Sequence, residues 1–423
     1  MKLWTSVRWA AADAFSSDGH GAILKRAGLY VDATSMWSPR LPFARRVSAG
    51  APAYAAAVVM LLAALALAGC GSGGDDAGDD HPIARPELIV GFVYVGSVRD
   101  HGYNEAAYRG SLAVERAFPR ARILQAQDVP ESEAAAGVMQ RMVDRGATII
   151  FPTSFGHLQA ALEVAARNPS VTFLHQGGLQ TAMNLGTYFA TIWQAQYAAG
   201  QAAGLSTRSD RLGFVAAFPI AQSLLSINAF QIGARSVNPR VRTRVLFTSS
   251  WCAPRAQRAA ARRLLAWGAD VLGQHQDCTA AVIRAAAAAG ARTTGFHVDA
   301  HRLAPKAWLT GSVWNWGPLY VDMVRSVVAG HFAHSPYASR YRATIADGTV
   351  GLASFGDAAT PAIRRRVRAT FGLLRSGDLQ PFAGPLRDQR GRLRIRGDQP
   401  STTVLEETDY LVEGVLGTTT PRG

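Results

Sequence analysis

Leu88-Ile-Val-Gly-Phe-Val-Tyr94 is a continuous apolar run of strand length, and the alternation that it begins decides the fold. Residues 104–117 carry apolar side chains at helical spacing (Ala107, Leu112, Ala113, Ala117). Arg122-Ile-Leu-Gln-Ala126 reads as a second strand and 132–145 as a second helix. The strand Ala147-Thr-Ile-Ile-Phe151, a helix over 157–167 and the strand Val171-Thr-Phe-Leu174 continue the alternation. Short apolar strands separated by amphipathic helices predict βαβ units and a parallel sheet covered on both faces.

The pattern restarts after a helix near 190–205. Strands are predicted at Leu212–Ala216, Thr243–Phe247, Ala269–Leu272, Arg292–Phe296 and Leu309–Val313, with helices over 221–235, 255–267, 279–289 and 317–330. Two such arrays predict an α/β chain with two Rossmann-like, doubly wound lobes, one over about 86–190 and one over about 210–315. The domain is read as running over 86–400, and 401–423 as a C-terminal tail.

Ligands in such sheets bind beyond the carboxyl ends of the strands. Aromatics cluster there: Tyr94, Phe151, Phe155, Phe218, Trp251 and Trp316, accompanied by Asp100, Asn104, Asp277, Asp299 and Asn315. An aromatic cleft with a few fixed hydrogen-bonding groups suits a flat, polar-edged heterocycle. The competing reading of any one of these rings is a core cap.

The chain carries a net charge of +14, but its basic residues are almost all Arg, spread along helices and not interleaved with aromatics. The one dense run, Arg364-Arg365-Arg366, sits at helical spacing beside apolar residues and reads as a solvated face. Nucleic acid is therefore discounted as a partner.

Arg45-Arg46 precedes an uncharged stretch from Val47 up to Asp75 that contains the apolar run Ala55–Leu67 and ends its small-residue segment in Leu67-Ala68-Gly69-Cys70. A basic region, a short apolar region and small residues before the cut compose a secretory signal. A Cys at the first mature position supplies a thiol for lipidation, so 1–69 is read as a signal region and Cys70 as the anchor. Residues 1–44 lack a coherent pattern, and Met36 would begin a signal of ordinary length. The Gly, Ser and Asp residues of 71–80 cannot bury apolar area, so 70–85 reads as the lipidated Cys and a flexible tether.

Catalytic patterns are not evident. There is no Gly-rich phosphate loop and no Gly-x-Ser-x-Gly elbow. His157, His175, His275, His297 and His301 follow different strands with no metal-ligand spacing, although His275 and His297 could converge at the cleft. Neither an enzyme nor a metal or cofactor site is expected. Cys252 and Cys278 each follow a strand of the second lobe. If those strands are neighbours, a bridge is within reach; two independent thiols are the equal alternative.

From about Leu88 to Asp388 the chain resembles the basic membrane protein family of ABC-importer lipoproteins, on its purine- and nucleoside-binding branch. The resemblance rests on Gly91-Phe-Val-Tyr-Val-Gly96, Asp100-His-Gly-Tyr-Asn104, Thr153-Ser-Phe-Gly156, Ala216-Ala-Phe-Pro-Ile220 and Asn228–Pro239. It continues through Ser250-Trp251, Gln274-His-Gln-Asp277, Ala304-Pro-Lys306, Asn315-Trp-Gly-Pro318 and Ser376–Pro385. It implies a type I periplasmic-binding-protein fold, two lobes joined by three crossovers with a ligand cleft between them and later segments returning to complete the lobes. It further implies a purine base or nucleoside stacked between aromatics and held by Asp and Asn. Tyr103, Asn104, Phe155 and Asp299 fall at its ligand positions. Three departures stand out: Trp251-Cys252-Ala253-Pro254 lacks a carboxylate, Trp314 replaces a charged residue, and Cys278 replaces a small polar one.

The resulting expectation is an exported protein anchored to a bacterial membrane, facing the periplasm or exterior, that delivers a purine-like solute to ABC permease subunits. A ligand-sensing surface receptor is the alternative on the same fold. A nucleoside hydrolase would need an activated nucleophile or metal ligands that the sequence lacks. Cys70→Ser is expected to release the body from the membrane fraction or leave it unprocessed; wild-type and variant protein labelling equally with palmitate would refute the anchor.

Overall fold

The structure is a computed structural model, and it describes residues 87–419. The signal region, Cys70 and the tether lie outside the described residues. No helix among the described residues is long and apolar enough to cross a membrane.

The first half alternates strand and helix as the sequence predicts: β1 (Ile89–Val93), α1 (Tyr103–Ala117), β2 (Arg122–Ala126), α2 (Ala134–Asp144), β3 (Ile149–Pro152), α3 (Leu158–Arg167) and β4 (Thr172–Gln176). β5 (Leu185–Ala190), which the sequence reading did not anticipate, then leads into α4 (Trp193–Ser206). The second array is β6 (Arg211–Ala216), α5 (Ala221–Arg235), β7 (Arg242–Phe247), α6 (Pro254–Ala266), β8 (Val271–His275), α7 (Ala280–Ala288), β9 (Arg292–His297) and β10 (Trp308–Trp314). After α8 (Trp316–Val328) come β11 (Arg340–Ala343), β12 (Val350–Leu352), α9 (Pro361–Ser376), the small hairpin β13 (Leu386–Arg387) and β14 (Leu393–Ile395), α10 (Thr402–Leu405) and β15 (Val415–Leu416).

The first sheet has the order β11-β5-β4-β3-β1-β2 and the second β12-β10-β9-β8-β6-β7-β15. In each, strand order reverses beside the first strand of the array, between β1 and β3 and between β6 and β8. Those are the topological switch points where a doubly wound sheet opens a crevice. Strands buried on both faces need no alternation, and β1, β3, β4 and β8 are buried throughout.

The chain passes between the two sheets three times: from β5 to β6, from β10 to β11 and from β11 to β12. Each half also lends a helix to the other. α8 leaves the second sheet and packs on α1, while α4 leaves the first and packs on α5, α9 and β10. The segment after 401, read as a tail, contributes β15 alongside β7 in parallel register.

Helix α4 shows how composition sets packing. Twelve of its fourteen residues are buried, and the sequence Ala-Ala-Gly-Gln-Ala-Ala-Gly keeps its surface thin on every side. At Gly200 a Cβ would stand 2.0 Å from the carbonyl oxygen of Phe230, and at Gly233 the same distance from that of Tyr197. Backbone meets backbone, so neither glycine can carry a side chain. Helix α9 has different determinants. Thr360 caps it by accepting from the Ile363 amide, Pro361 opens it and Gly377 closes it in the left-handed region. Arg365 and Arg366 lie on its exposed face, as the sequence predicts, whereas Arg364 is half-buried and donates to the carbonyls of Ala359 and Gly356.

Gly200→Ala is expected to lower stability by about 1–3 kcal/mol through overpacking. Denaturant unfolding of purified protein measures it; an unchanged midpoint would mean that α4 and α5 separate at no cost.

Candidate functional site

Asp100 organises the first wall of the cleft. Its buried carboxylate accepts from the amides of Gly102 (2.8 Å), Asn104 (3.1 Å) and Glu105 (3.0 Å) and from the Asn104 side chain (2.9 Å). It therefore satisfies the free N–H groups that begin α1 and places Tyr103 and Asn104 at the helix start. Burial still raises the Asp100 pKa above its ordinary value, against those hydrogen bonds. Glu131 does related work beyond β3, accepting from the Ser154 hydroxyl (2.6 Å) and the Gly156 amide (2.9 Å). This fixes the turn that carries Phe155, whose ring is 38% exposed at the cavity mouth.

The facing wall comes from the second sheet. The Trp251 and Asp277 loops are tied by the Asp277 amide donating to the Trp251 carbonyl (2.9 Å) and by Gln257, whose amide donates to the carbonyls of Trp251 (3.3 Å) and Asp277 (2.8 Å). Cys252 and Cys278 form a disulfide, with Cα atoms 5.3 Å apart. The strands that precede the two cysteines are not the neighbours that the sequence leads one to expect for a bridge: β6 lies between β7 and β8. The chain crosses back over β6 at the switch point, and the loops, not adjacent strand ends, bring the thiols together.

Between the walls lies a slot lined by Val95, Tyr103, Ser154, Phe155, Phe189, Gln222, Trp251, His275, Asp277, His297 and Trp314. Its walls enclose about 390 Å³ counting the mouth, but the free room at the centre is about 30 Å³, space for one water. The lobes are drawn together. Thr279 of the second lobe donates to the His101 carbonyl of the first, Gln222 donates to that of Gly177 (3.3 Å), and Asn104 reaches the Asp277 carboxylate (3.4 Å). Larger, more open grooves lie elsewhere: one lined by Arg208, Arg292 and Lys306 is at the outer base of the second lobe, and another, lined by Arg109, Arg116, Trp314, Asn315 and Trp316, runs between α1 and the start of α8.

Four of the sequence-predicted residues line the slot: Tyr103, Phe155, Trp251 and Asp277. Asn104 stands behind them on Asp277, and Phe218 backs Trp251 edge-on with ring centroids 5.1 Å apart. Three residues are placed elsewhere. Asp299 turns away to accept from the Ser354 amide (2.9 Å) and from His301 (2.9 Å). Asn315 donates to the Gly348 carbonyl. Trp316 is 1% exposed, stacked between Trp314 (4.7 Å) and Tyr320 (6.0 Å), so Trp314 and not Trp316 faces the slot. Tyr94 and Phe151 are core residues.

His275 and His297 do converge, with ring centroids 6.0 Å apart. Both are neutral: burial pushes His275 down to about 3 and holds His297 well below the ordinary imidazole range. Asp277 is held well above the usual carboxylate range by burial first and by the nearby Asp100 and Glu131 charges second. The close approach of His297 and Asp277, 3.6 Å, is therefore not an ion pair. Buried polar atoms without partners in the slot include His275 Nδ1 and His297 Nε2, which marks a place for a ligand's hydrogen-bonding groups. Among the described residues no cluster of His, Cys, Asp and Glu could hold a metal. Phe189 and Gln222 were missed by the sequence reading. Phe189 is the penultimate residue of the unrecognised β5, and Gln222 sits in the first turn of α5, where only its proximity to β6 signals it.

Residues 88–364 match the family described as ABC transporter substrate-binding protein PnrA-like. A purine-binding protein of Brucella abortus is 31% identical over 78% of this chain and 94% of its own length. A Haloferax volcanii protein named as a putative ABC transporter glucose-binding protein is 29% identical over 79% of this chain and 82% of its own. In structure, an ABC transporter solute-binding protein of Conexibacter woesei superposes with a TM-score of 0.58, covering 69% of this chain and 98% of that one at 21% identity. That likeness shows the shared type I periplasmic-binding-protein fold. The family match spans both lobes and every strand end that forms the slot: the chain belongs to the basic membrane protein family of ABC-transporter substrate-binding proteins.

Proposed function

We propose that this protein captures a purine base or nucleoside between its lobes and, tethered through lipidated Cys70, presents it to the permease of an ABC importer. The observation that carries the reading is the slot itself. Flat rings (Phe155, Trp251, Trp314) border a narrow space into which a buried carboxylate and two unpartnered imidazole nitrogens project. A thin aromatic heterocycle with N–H and acceptor atoms on its edge fits that combination. The purine-binding relative supports this reading, and the relative named for glucose supplies the competitor.

Ligand entry requires the lobes to part, because the closed slot has no room for a base. Closure around the ligand then replaces water by stacking and by hydrogen bonds in a site that excludes solvent. A donor N–H on the ligand also relieves Asp277, whose charged form is penalised by burial while the slot is empty.

Titration calorimetry of the mature protein tests the reading. Adenosine or inosine is expected to give binding heat where glucose gives none, and Phe155→Ala and Trp251→Ala should each weaken the nucleoside by up to about tenfold through lost stacking. Heat from glucose alone would replace the proposal.

Asp277→Asn should reduce nucleoside affinity by about tenfold or more, the measure of a charge-assisted hydrogen bond. It should also change the empty protein's response to pH. The folded-state pKa of Asp277 lies above its unfolded value, about 3.9. The folded protein thus holds a proton that the unfolded chain has released, and stability falls as pH rises from about 4 toward the folded pKa. The Tm difference between wild type and variant should move against wild type as pH rises from 4.5 to 8, while the depressed imidazoles His157, His175, His275 and His297 act with the opposite sign in both proteins below about pH 6.5; a difference independent of pH would show that Asp277 is already ionised.

A further inference from the structure

Trp314 occupies a position where the family resemblance leads one to expect a charged residue, and its indole N–H donates to His297 Nδ1 at 2.8 Å. An indole nitrogen only donates, so Nδ1 must be the unprotonated nitrogen. A neutral imidazole then carries its proton on Nε2. That atom is buried, has no partner, and stands 3.6 Å from Asp277 Oδ1, beyond a good hydrogen bond. The other carboxylate oxygen is the one Asn104 approaches.

The ring is held in this orientation. Tyr103 meets it edge-on at 5.3 Å, Trp314 lies nearly parallel at 6.4 Å, and Phe296 packs at 4.0 Å. His297 also has a φ of 72°, a left-handed backbone that a residue of this size seldom adopts. Such conformations persist where surrounding contacts over-determine them, often at binding sites. The slot therefore presents the unpartnered His297 Nε2–H beside the Asp277 carboxyl, which holds a proton while the slot is empty and becomes an acceptor for a ligand N–H when it ionises on binding.

We propose that Trp314 is a positioning residue: by holding His297 as the Nε2–H tautomer, it makes the site select solutes that offer an acceptor and an N–H on adjacent atoms of one planar edge. This rests on the purine reading above. The 6-oxo edge of inosine presents O6 beside N1–H, and the 6-amino edge of adenosine presents N1 beside N6–H; both complete the pair. Purine riboside, which has no 6-substituent, leaves the Asp277 acceptor unfilled.

Two measurements on the mature protein test the proposal. Long-range ¹H–¹⁵N spectra of histidine-labelled empty protein should show His297 as the Nε2–H tautomer. In Trp314→Phe, which keeps a ring for stacking but loses the N–H, a mixture should appear. Nδ1–H in wild type, or an unchanged tautomer in the variant, overturns the assignment. Calorimetry with inosine and purine riboside should give wild type a preference of about tenfold or more for inosine, the worth of a buried hydrogen bond. Trp314→Phe should reduce that preference severalfold, whereas His297→Gln, which retains an N–H donor, should keep more of it. Equal affinities for the two nucleosides in wild type would overturn the selection mechanism. Absence of binding by both would bring down the purine reading and the ligand half of this proposal with it, while the tautomer, read on empty protein, decides the role of Trp314 independently.

Discussion

The architecture depends on two helices exchanged between the sheets. α4 starts from the end of the first sheet and is buried in the second lobe; α8 starts from the end of the second and packs on α1 of the first. Because α4 meets α5 with backbone against backbone at Gly200 and Gly233, its position has little freedom. The ends of β5 and β10, from which these helices spring, supply Phe189 and Trp314. Their rings pack together 5.1 Å apart between centroids at one end of the slot. The crossing that joins the lobes and one wall of the slot are thus parts of one packed unit.

Around that unit the site assembles polar groups at a cost to the empty protein. Asp100 and Asp277 both have raised pKa values, and His275 and His297 are neutral with nitrogens unsatisfied. Unpartnered buried groups typically cost about 1–3 kcal/mol each. A protein that must close on its ligand gains from such an arrangement, since the same groups are relieved when a complementary edge arrives. The disulfide between Cys252 and Cys278 and the Gln257 contacts keep the Trp251 and Asp277 loops in register, so less order has to be gained on binding.

Most of the fold was legible because strand and helix periodicity is local. The first four strands of the first lobe and all five of the second-lobe array fall where apolar runs put them, and Arg365 and Arg366 of α9 lie on the solvent face that their spacing implies, Arg364 alone folding back onto the carbonyls of Ala359 and Gly356. β5, β11, β12 and β15 were not legible. Leu185-Gly-Thr-Tyr-Phe-Ala190 is wholly buried and comes after a short connection from β4, which made it easy to miss between stronger signals. Arg340-Tyr-Arg-Ala343 is a charged edge strand defined by its pairing with β5, and Val415–Leu416 is two residues long and defined by its pairing with β7. Such strands exist through partners far away in sequence.

The site divides along the same line. Tyr103, Phe155, Trp251 and Asp277, in the loops that follow recognisable strands, do line the slot, as the rule that a doubly wound sheet opens its crevice at strand ends predicts from the order of elements alone. What the sequence could not contain was direction: Asp299 and Trp316 also follow strands, yet one turns to Ser354 and His301 and the other stacks behind Trp314. Which strands are neighbours, and so how Cys252 reaches Cys278 across the end of β6, also awaited the sheet order. The sequence by itself determined the class of fold and the family, because those depend on local periodicity and residue type. Tertiary structure alone decided which rings line the slot and which nitrogen of His297 accepts from Trp314, because those depend on contacts between segments that meet only when both sheets are complete.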